Sequence, residues 1–355
     1  MGNLDERGRR AAAEDLKEFA ETVLVRAGLR ESDSRLVVDN LLDADLRGVH
    51  SHGLVRIDFI VSRVQAGGIN PRAEVKVISD RGATILLDAD RGSGQIAAHQ
   101  AMTLACARAR DLGVGVAGVF RSNHFGTAGY YARMAAEQGL IGLAVSNTGA
   151  SMAPWGGTTP TYGTNPLAIA VPSSGDFPLM LDIALSRAAW GKVLLTLSRG
   201  DPLPPNWVVD RQGRPTTDPE EALRGMPSPL GDHKGYGLAV MVDILSGVLT
   251  GALFGRDVSP TPDPSESQDT GHFFLAISVD HFMEPELFLS RIQDYIQQLK
   301  SSDLISGVDE ILVPGEPDWR SIQRSLKEGI VLDEETWKIL HRLSSELGVP
   351  LPKTQ

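Results

Sequence analysis

The sequence predicts a layered α/β fold with a helical opening. Three observations lead there. Apolar positions recur at helical spacing through Gly67, and short apolar runs alternate with helices from Val75 onward. Hydrophobic residues make up 42% and charged residues 22%, which is ordinary for a globular chain. A length of 355 residues allows a full core, as two domains or as one domain with helical additions.

Residues 11–28 read as an amphipathic helix, with Leu16, Phe19, Val23 and Leu24 on one side and Gly28 as its stop. Ser32 suits the cap of a second helix that ends near Gly48, and Ser51 the cap of a third that runs to Gly67 and Gly68. Val75–Ile78 and Thr84–Asp88 read as strands, followed by a helix over 95–112 and the run Val114–Phe120. A helix over 128–138 then leads to Leu140–Val145, and the runs Leu167–Val171 and Leu179–Ile183 extend the sheet. The prolines at 202, 204 and 205 open a polar connection. Gly235–Gly251 reads as a core helix, too short and too interrupted for a membrane span. Residues 256–271, rich in Pro, Asp and Ser, form a loop, 273–279 a strand, and helices alternate with short extended pieces from Pro285 on.

A net charge of -11 argues against a nucleic-acid partner, because no basic stripe is present to neutralise phosphates. A lone cysteine, Cys106, excludes an intramolecular disulfide and reads as a buried, inert thiol. The first ten residues are charged and lack an apolar run, and Glu6 breaks the myristoylation pattern, so the expectation is a cytoplasmic protein without a membrane anchor.

The stretch from Asp45 to Arg56 carries the first chemistry. On a helix, His52 and Arg56 share a face, and an Arg fork matches a carboxylate while a histidine moves a proton near neutral pH. That pair suits a 2-hydroxy or 2-oxo acid; the same residues also suit an ordinary solvated helix start. His50 and His52 form a His-x-His pair, but with no third ligand nearby a metal is not expected.

Gly92-Ser93-Gly94-Gln95-Ile96-Ala97 imitates a dinucleotide fingerprint. The next strand ends at Arg121 without the acidic residue that would take the ribose, so a tight turn is the better reading. Ser122-Asn123-His124-Phe125-Gly126 follows a strand and precedes a helix, which places His124 where ligands of α/β sheets gather. Ser146-Asn147, the loop around Trp155 and Gly163-Thr164-Asn165-Pro166 are amide- and hydroxyl-rich loops of the same kind, each also readable as a structural turn. Gly231 to Gly237, with Lys234 at a helix start, suits a phosphate or an exposed turn. No Gly-x-Ser-x-Gly elbow is present.

Together these stretches resemble the type-2 malate/L-lactate dehydrogenase family, which is unrelated to the Rossmann lactate dehydrogenases. The matching pieces are Arg47 to Gly53, Ser122 to Gly126, Ser146-Asn147, Gly163 to Pro166, Leu181-Asp182-Ile183-Ala184, Pro229 to Leu238 and Gly271 to Phe274. They run in family order over nearly the whole chain. The resemblance implies a non-Rossmann layered mixed-sheet domain that binds NAD or NADP, over 73–284. It also implies a helical substrate and dimer domain from both chain ends, over 1–72 and 285–355. The implied reaction is reversible hydride transfer between NAD(P)H and a 2-oxo or 2-hydroxy acid, in a homodimer or larger assembly, with a small carboxylate as substrate. Alternatives on the same fold are reduction of a cyclic imino acid or of a sugar-derived dioxo acid, and a non-catalytic nucleotide-binding homologue.

Carried over by motif, His52 is the expected proton donor or acceptor with Ser51 beside it. His124 has a competing claim, because some members give that role to the Asn-His-Phe-Gly histidine. Arg56 would hold the carboxylate and Asn165 would sit near the reacting centre. Ser146, Asp182, Ile183, Ala184, Lys234 and the Gly271-His272 turn would contact the cofactor. Three departures stand out. Leu185-Ser186-Arg187 replaces the family's Thr-Ser and small residue, so Arg187 either meets a 2′-phosphate or is solvated. Asp269 lies where Asn is common, and Asp232-His233 precedes Lys234.

Overall fold

The computed structural model describes residues 9–188, 190–198, 200–259 and 263–354. The readings made on the first eight residues lie outside them. The chain opens with β1 (Arg9–Ala11), α1 (Ala13–Ala27) and α2 (Glu31–Leu46), then two short 3₁₀ turns, His50–His52 and Leu54–Arg56, and α3 (Ile57–Ala66). The sheet region follows: β2 (Lys76–Arg81), β3 (Thr84–Asp88), α4 (Gly94–Leu112), β4 (Val114–Ser122), α5 (Ala128–Ala136), β5 (Leu140–Ser146), β6 (Leu167–Val171) and β7 (Leu179–Ile183). After α6 (Trp190–Ser198) a small excursion holds β8 (Val208–Val209), β9 (Pro215–Thr216), α7 (Pro219–Arg224) and β10 (Met226–Pro227). The chain then forms α8 (His233–Asp243), a π-helical turn over Ile244–Val248 and β11 (Thr270–Ser278). It closes with α9 (Pro285–Lys300), α10 (Glu316–Glu328), β12 (Ile330–Leu332) and α11 (Glu334–Leu347).

The main sheet has seven strands in the order β2-β3-β4-β11-β5-β6-β7. Only β3 and β4 pair in parallel, joined by α4 as a crossover helix. β11 returns from far along the chain and inserts antiparallel between β4 and β5, which therefore run parallel to each other without touching. The sheet is thus mixed and is not the doubly wound parallel sheet of a Rossmann fold.

Alternation along β11 separates the two faces: Phe274 joins the core under α4 and α5, whereas Phe273 faces Ala239 and Val242 of α8. α4 and α5 lie close on the sheet because alanines line their inner faces and the strands offer glycines. A Cβ on Gly115 would sit 2.0 Å from the Ala105 carbonyl, and one on Gly142 would sit 2.3 Å from that of Ala132. Cys106 is buried in this layer, and burial pushes its thiol up to about 11, so it is inert as expected.

A second core gathers both chain ends. Leu16, Val23 and Leu41 pack with Leu54 and Ile57 and with Ile330, Leu340 and Leu343, and β1 pairs antiparallel with β12. Arg47 ties this core to the sheet: its guanidinium lies among Asp43 (2.9 Å), Asp182 (3.4 Å) and Asp318 (3.5 Å) and donates to Thr127.

Four local expectations need correction. α2 starts at Glu31 with Arg30 as its cap, so Ser32 lies inside the helix and its hydroxyl meets Asp33 instead. Ser51 caps no helix; α3 begins after Arg56. The apolar stretch over 235–251 is not a buried helix: Ala239, Val242, Ser246 and Gly247 face the sheet, while Met241 is 55% and Leu249 63% exposed. Gly271 and His272 form no turn, because β11 already begins at Thr270.

Candidate active site

The site begins with a buried carboxylate. Asp45, near the end of α2, accepts the Leu54 N–H at 2.7 Å and faces His50 Nδ1 at 2.9 Å. Gly53 makes room for it, since a Cβ there would lie 2.1 Å from Asp45 Cγ. The chain is thereby wound into two successive 3₁₀ turns instead of one helix, and His52 and Arg56 stand on separate turns. Burial pushes the Asp45 carboxyl up, opposed by its bond to His50.

Within these turns Ser51 Oγ lies 3.0 Å from His52 Nδ1, and Arg56 Nε donates to the Ser51 carbonyl at 2.7 Å. The two terminal nitrogens of Arg56 meet no protein acceptor among the described residues, although Glu335 lies within electrostatic reach. The fork is held by its Nε and left open at its tip.

His124 is brought to the same place from the end of β4. The His52 and His124 rings stack with centroids 5.6 Å apart, and Phe59 presents its edge to His124 at 6.2 Å. His124 Nδ1 accepts the Gly126 N–H at 3.2 Å. Its backbone is pinned by Gln268, whose Oε1 accepts the His124 N–H at 2.9 Å and whose N–H donates to Asn123 Oδ1 at 3.1 Å. Asn123 Nδ2 reaches back to the carbonyls of Arg91 and Gly92 at 3.0 Å each. The glycines of the imitation fingerprint therefore have a packing cause: a Cβ on Gly94 would fall 2.1 Å from the Asn123 carbonyl oxygen.

Burial holds both imidazoles neutral. His52 is pushed down to about 4, with Arg56 and Arg47 adding to the effect of burial. His124 lies well below the usual histidine range through burial first, then through His52, Arg56 and His272. An anion bound at Arg56 would relieve that pressure.

The remaining expected residues fall into two groups. Ser146, Gly271 and His272 are buried at the centre of the sheet, with Ser146 Oγ 2.8 Å from His272 Nδ1. Asn165 is fully buried, and its amide accepts the Thr148 N–H at 3.0 Å and donates to the Ala239 carbonyl at 2.9 Å. It joins two elements, with one bond at each amide atom. Asp182 accepts the Gly129 N–H at 3.0 Å beside Arg47, and burial pushes its carboxyl up despite that guanidinium. Half-buried Ile183 and Ala184 follow at the strand end, and Lys234 stands exposed in the first turn of α8. His50 turns to Asp45, and among the described residues no three His, Cys, Asp or Glu side chains are grouped to hold a metal ion. Sequence reasoning gave no role to Asp45, Gln268 or the fully buried Arg63, which donates to the carbonyls of Asp263 and Glu266 at 3.0 and 2.9 Å. Asp45 had a signal, five residues before a histidine at a helix end; Gln268 had none.

The donor set around α8 fits a phosphate-bearing cofactor. Arg187 Nη2 pairs with Asp232 Oδ1 at 2.8 Å, while its buried Nε has no acceptor among the described residues, and Lys234 stands nearby in sequence. An anionic oxygen would give the Arg187 Nε the acceptor it lacks.

The mixed sheet separates this chain from the doubly wound Rossmann dehydrogenases. Comparison with known proteins agrees. Residues 11–341 match the family model described as malate/L-lactate dehydrogenase, and the chain belongs to that family. It is 38% identical to a malate dehydrogenase of Pyrococcus abyssi over 98% of both chains. It is also 38% identical to an L-sulfolactate dehydrogenase of Methanocaldococcus jannaschii over 95% of this chain and 96% of that one. The solved malate dehydrogenase of Pyrococcus horikoshii superposes with a TM-score of 0.90 at 37% identity, covering 99% of each chain. The chain is an NAD(P)-dependent dehydrogenase that transfers hydride between the cofactor and a small 2-oxo or 2-hydroxy acid. Among the described residues no helix is long and apolar enough to cross a membrane.

Proposed function

We propose that Arg56 holds the substrate carboxylate and that His52 and His124 act on its C2 oxygen in different ways. The observation that carries this is the open tip of Arg56 beside two stacked, neutral imidazoles. The nicotinamide supplies or accepts the hydride when bound. A neutral ring whose Nδ1 accepts a backbone N–H carries its proton on Nε2, so His124 offers Nε2–H as a hydrogen-bond donor to the carbonyl oxygen. Giving that proton away would leave an imidazolate, so His124 polarises. At His52 the Ser51 hydroxyl can accept from Nδ1–H whether Nε2 is bare or protonated, so this ring can take up and release a proton without becoming an imidazolate. His52 therefore moves the proton, to the oxygen in reduction and from the hydroxyl in oxidation.

The relatives named for malate and L-sulfolactate favour a substrate with a second anionic group, with oxaloacetate and malate as the first pair to test. Lys234 and Arg187, with the strand end at Asp182, Ile183 and Ala184, would hold the dinucleotide. Residues 73–284 would form the cofactor domain; residues 1–72 and 285–355 would form the substrate and dimer domain of a cytoplasmic homodimer. The exposed apolar row Leu238, Met241, Ile244, Val248 and Leu249 supports a second copy as its cover.

The test is oxidation of NADH and NADPH, in parallel, with oxaloacetate, pyruvate, a sugar-derived 2,3-dioxo acid and a cyclic imino acid. Turnover of a 2-oxo dicarboxylate supports the reading; turnover of the cyclic imino acid alone overturns it.

A further inference from the structure

We propose that His272 is a positioning residue for His124, acting through Ser122, and is not a cofactor contact. The proposal rests on the role given to His124 above. His272 is fully buried at the centre of the sheet, and both of its ring nitrogens are engaged. Nε2 lies 2.8 Å from Ser122 Oγ at the end of β4, and Nδ1 lies 2.8 Å from Ser146 Oγ at the end of β5. Ser146 Oγ also lies 2.9 Å from the Asn147 carbonyl, to which only a hydroxyl proton can donate. One arrangement that serves these contacts runs Ser122 O–H to Nε2, Nδ1–H to Ser146 Oγ, and Ser146 O–H to the carbonyl of Asn147 or, at 3.2 Å, of Gly271.

The two arms are not equivalent. On the β5 side the backbone ladder is regular and pairs His272 directly with Ser146, so the side-chain bond there adds to a contact already made. On the β4 side the register slips between Thr270 and His272, at the strand end that delivers His124. There the imidazole crosses to Ser122, two residues before His124, where the regular ladder fails. The same ring stacks on Phe125, the residue after His124, with centroids 4.6 Å apart and planes 10° apart. His272 thus grips both neighbours of the loop turn that aims His124 over His52.

Two substitutions separate the arms, because an Asn amide nitrogen can stand about where Nδ1 is and donate to Ser146, and a Gln amide oxygen about where Nε2 is and accept from Ser122. His272→Asn keeps the Ser146 arm; His272→Gln keeps the Ser122 arm. His272→Asn and Ser122→Ala should each lower kcat about 10- to 100-fold, the scale of a misplaced reacting group. Together they should be no worse than either alone. Affinity for NADH should stay within about twofold, since no cofactor contact is lost. His272→Gln should keep most of the turnover. The ¹⁵N signals of the His124 ring should move in His272→Asn and Ser122→Ala and hold in His272→Gln.

Equal losses in His272→Asn and His272→Gln would overturn the proposal, as would wild-type kcat in Ser122→Ala. Where His272→Asn fails to fold, Ser122→Ala carries the test by deleting one hydroxyl. His124→Ala separates the two readings. Full turnover in that variant sinks the role of His124 and the proposal with it. Lost turnover in His124→Ala beside normal Ser122→Ala sinks the proposal alone.

Discussion

The imidazoles of His52 and His124 stack at 5.6 Å with 26° between their planes, one delivered by a 3₁₀ turn after α2 and the other by the end of β4. Two cationic rings at that distance repel, and Arg56 adds a fixed charge beside them. The pair is therefore built to work neutral until an anion arrives. This suits the oxidation direction in the free enzyme, where a bare Nε2 must take the hydroxyl proton.

A pH profile follows from this. For the hydroxy acid, kcat/KM reports the free enzyme, and His52 must be unprotonated. With the ring held down to about 4, activity should be flat across neutral pH and fall as pH drops through about 4. A limb centred near the ordinary histidine value of about 6.5 would show that burial does not depress His52.

Arg56→Lys should raise the KM for the oxo acid about 10- to 100-fold, with NADH binding unchanged. The fork is held by its Nε bond to the Ser51 carbonyl and presents two parallel donors; an ammonium offers a point charge and gives up that anchor. A charge-assisted hydrogen bond contributes about 1.5–3 kcal/mol, which sets the range. Steady-state kinetics with the oxo acid as the varied substrate checks it, and an unchanged KM removes Arg56 from the site.

Most of the sheet was legible because its strands are short apolar runs set off by helices, and β3, β6 and β7 match the residues read from pattern alone. The position of β11 was not legible. Nothing local says that a strand starting at Thr270 enters between β4 and β5, and that insertion turns Gly271 and His272 from an expected turn into buried core. The His52 turn was misread because the fourfold spacing to Arg56 fits a helix. Asp45, which accepts the Leu54 N–H and thereby winds the chain more tightly, acts from outside that spacing. The region over 235–251 was misread for a different reason: apolar content says that a surface needs cover and does not say whether this protomer supplies it.

Acid should destabilise the protein more steeply than carboxylate titration alone would. His272 is depressed to about 3 by burial, and His52 and His124 are depressed as well. Below about pH 6.5 the unfolded chain takes up protons that these folded rings refuse, so stability falls with pH until the folded values are reached. Asp45, Asp182 and Asp243 work in the opposite sense, because burial raises their carboxyls and the folded state binds the extra proton. Their effect lies above the ordinary carboxylate value and softens the loss there. Thermal melts at pH 7 and pH 5 should show a drop in Tm that shrinks in His272→Gln, which removes one of the three rings. An undiminished drop would place His272 outside this titration.

Gly94→Ala separates packing from a dinucleotide fingerprint. The added Cβ would lie 2.1 Å from the Asn123 carbonyl oxygen and 2.7 Å from that of His124, both backbone atoms that cannot swing away. The loop carrying His124 must then move, against the bonds from Asn123 to the Arg91 and Gly92 carbonyls and the grip of Gln268. Overpacking of this kind costs about 1–3 kcal/mol, so Tm should fall, and kcat should fall with it as His124 leaves its place over His52. NADH affinity should change less than kcat. A variant with unchanged Tm and abolished NADH binding would instead return Gly92–Ala97 to the cofactor.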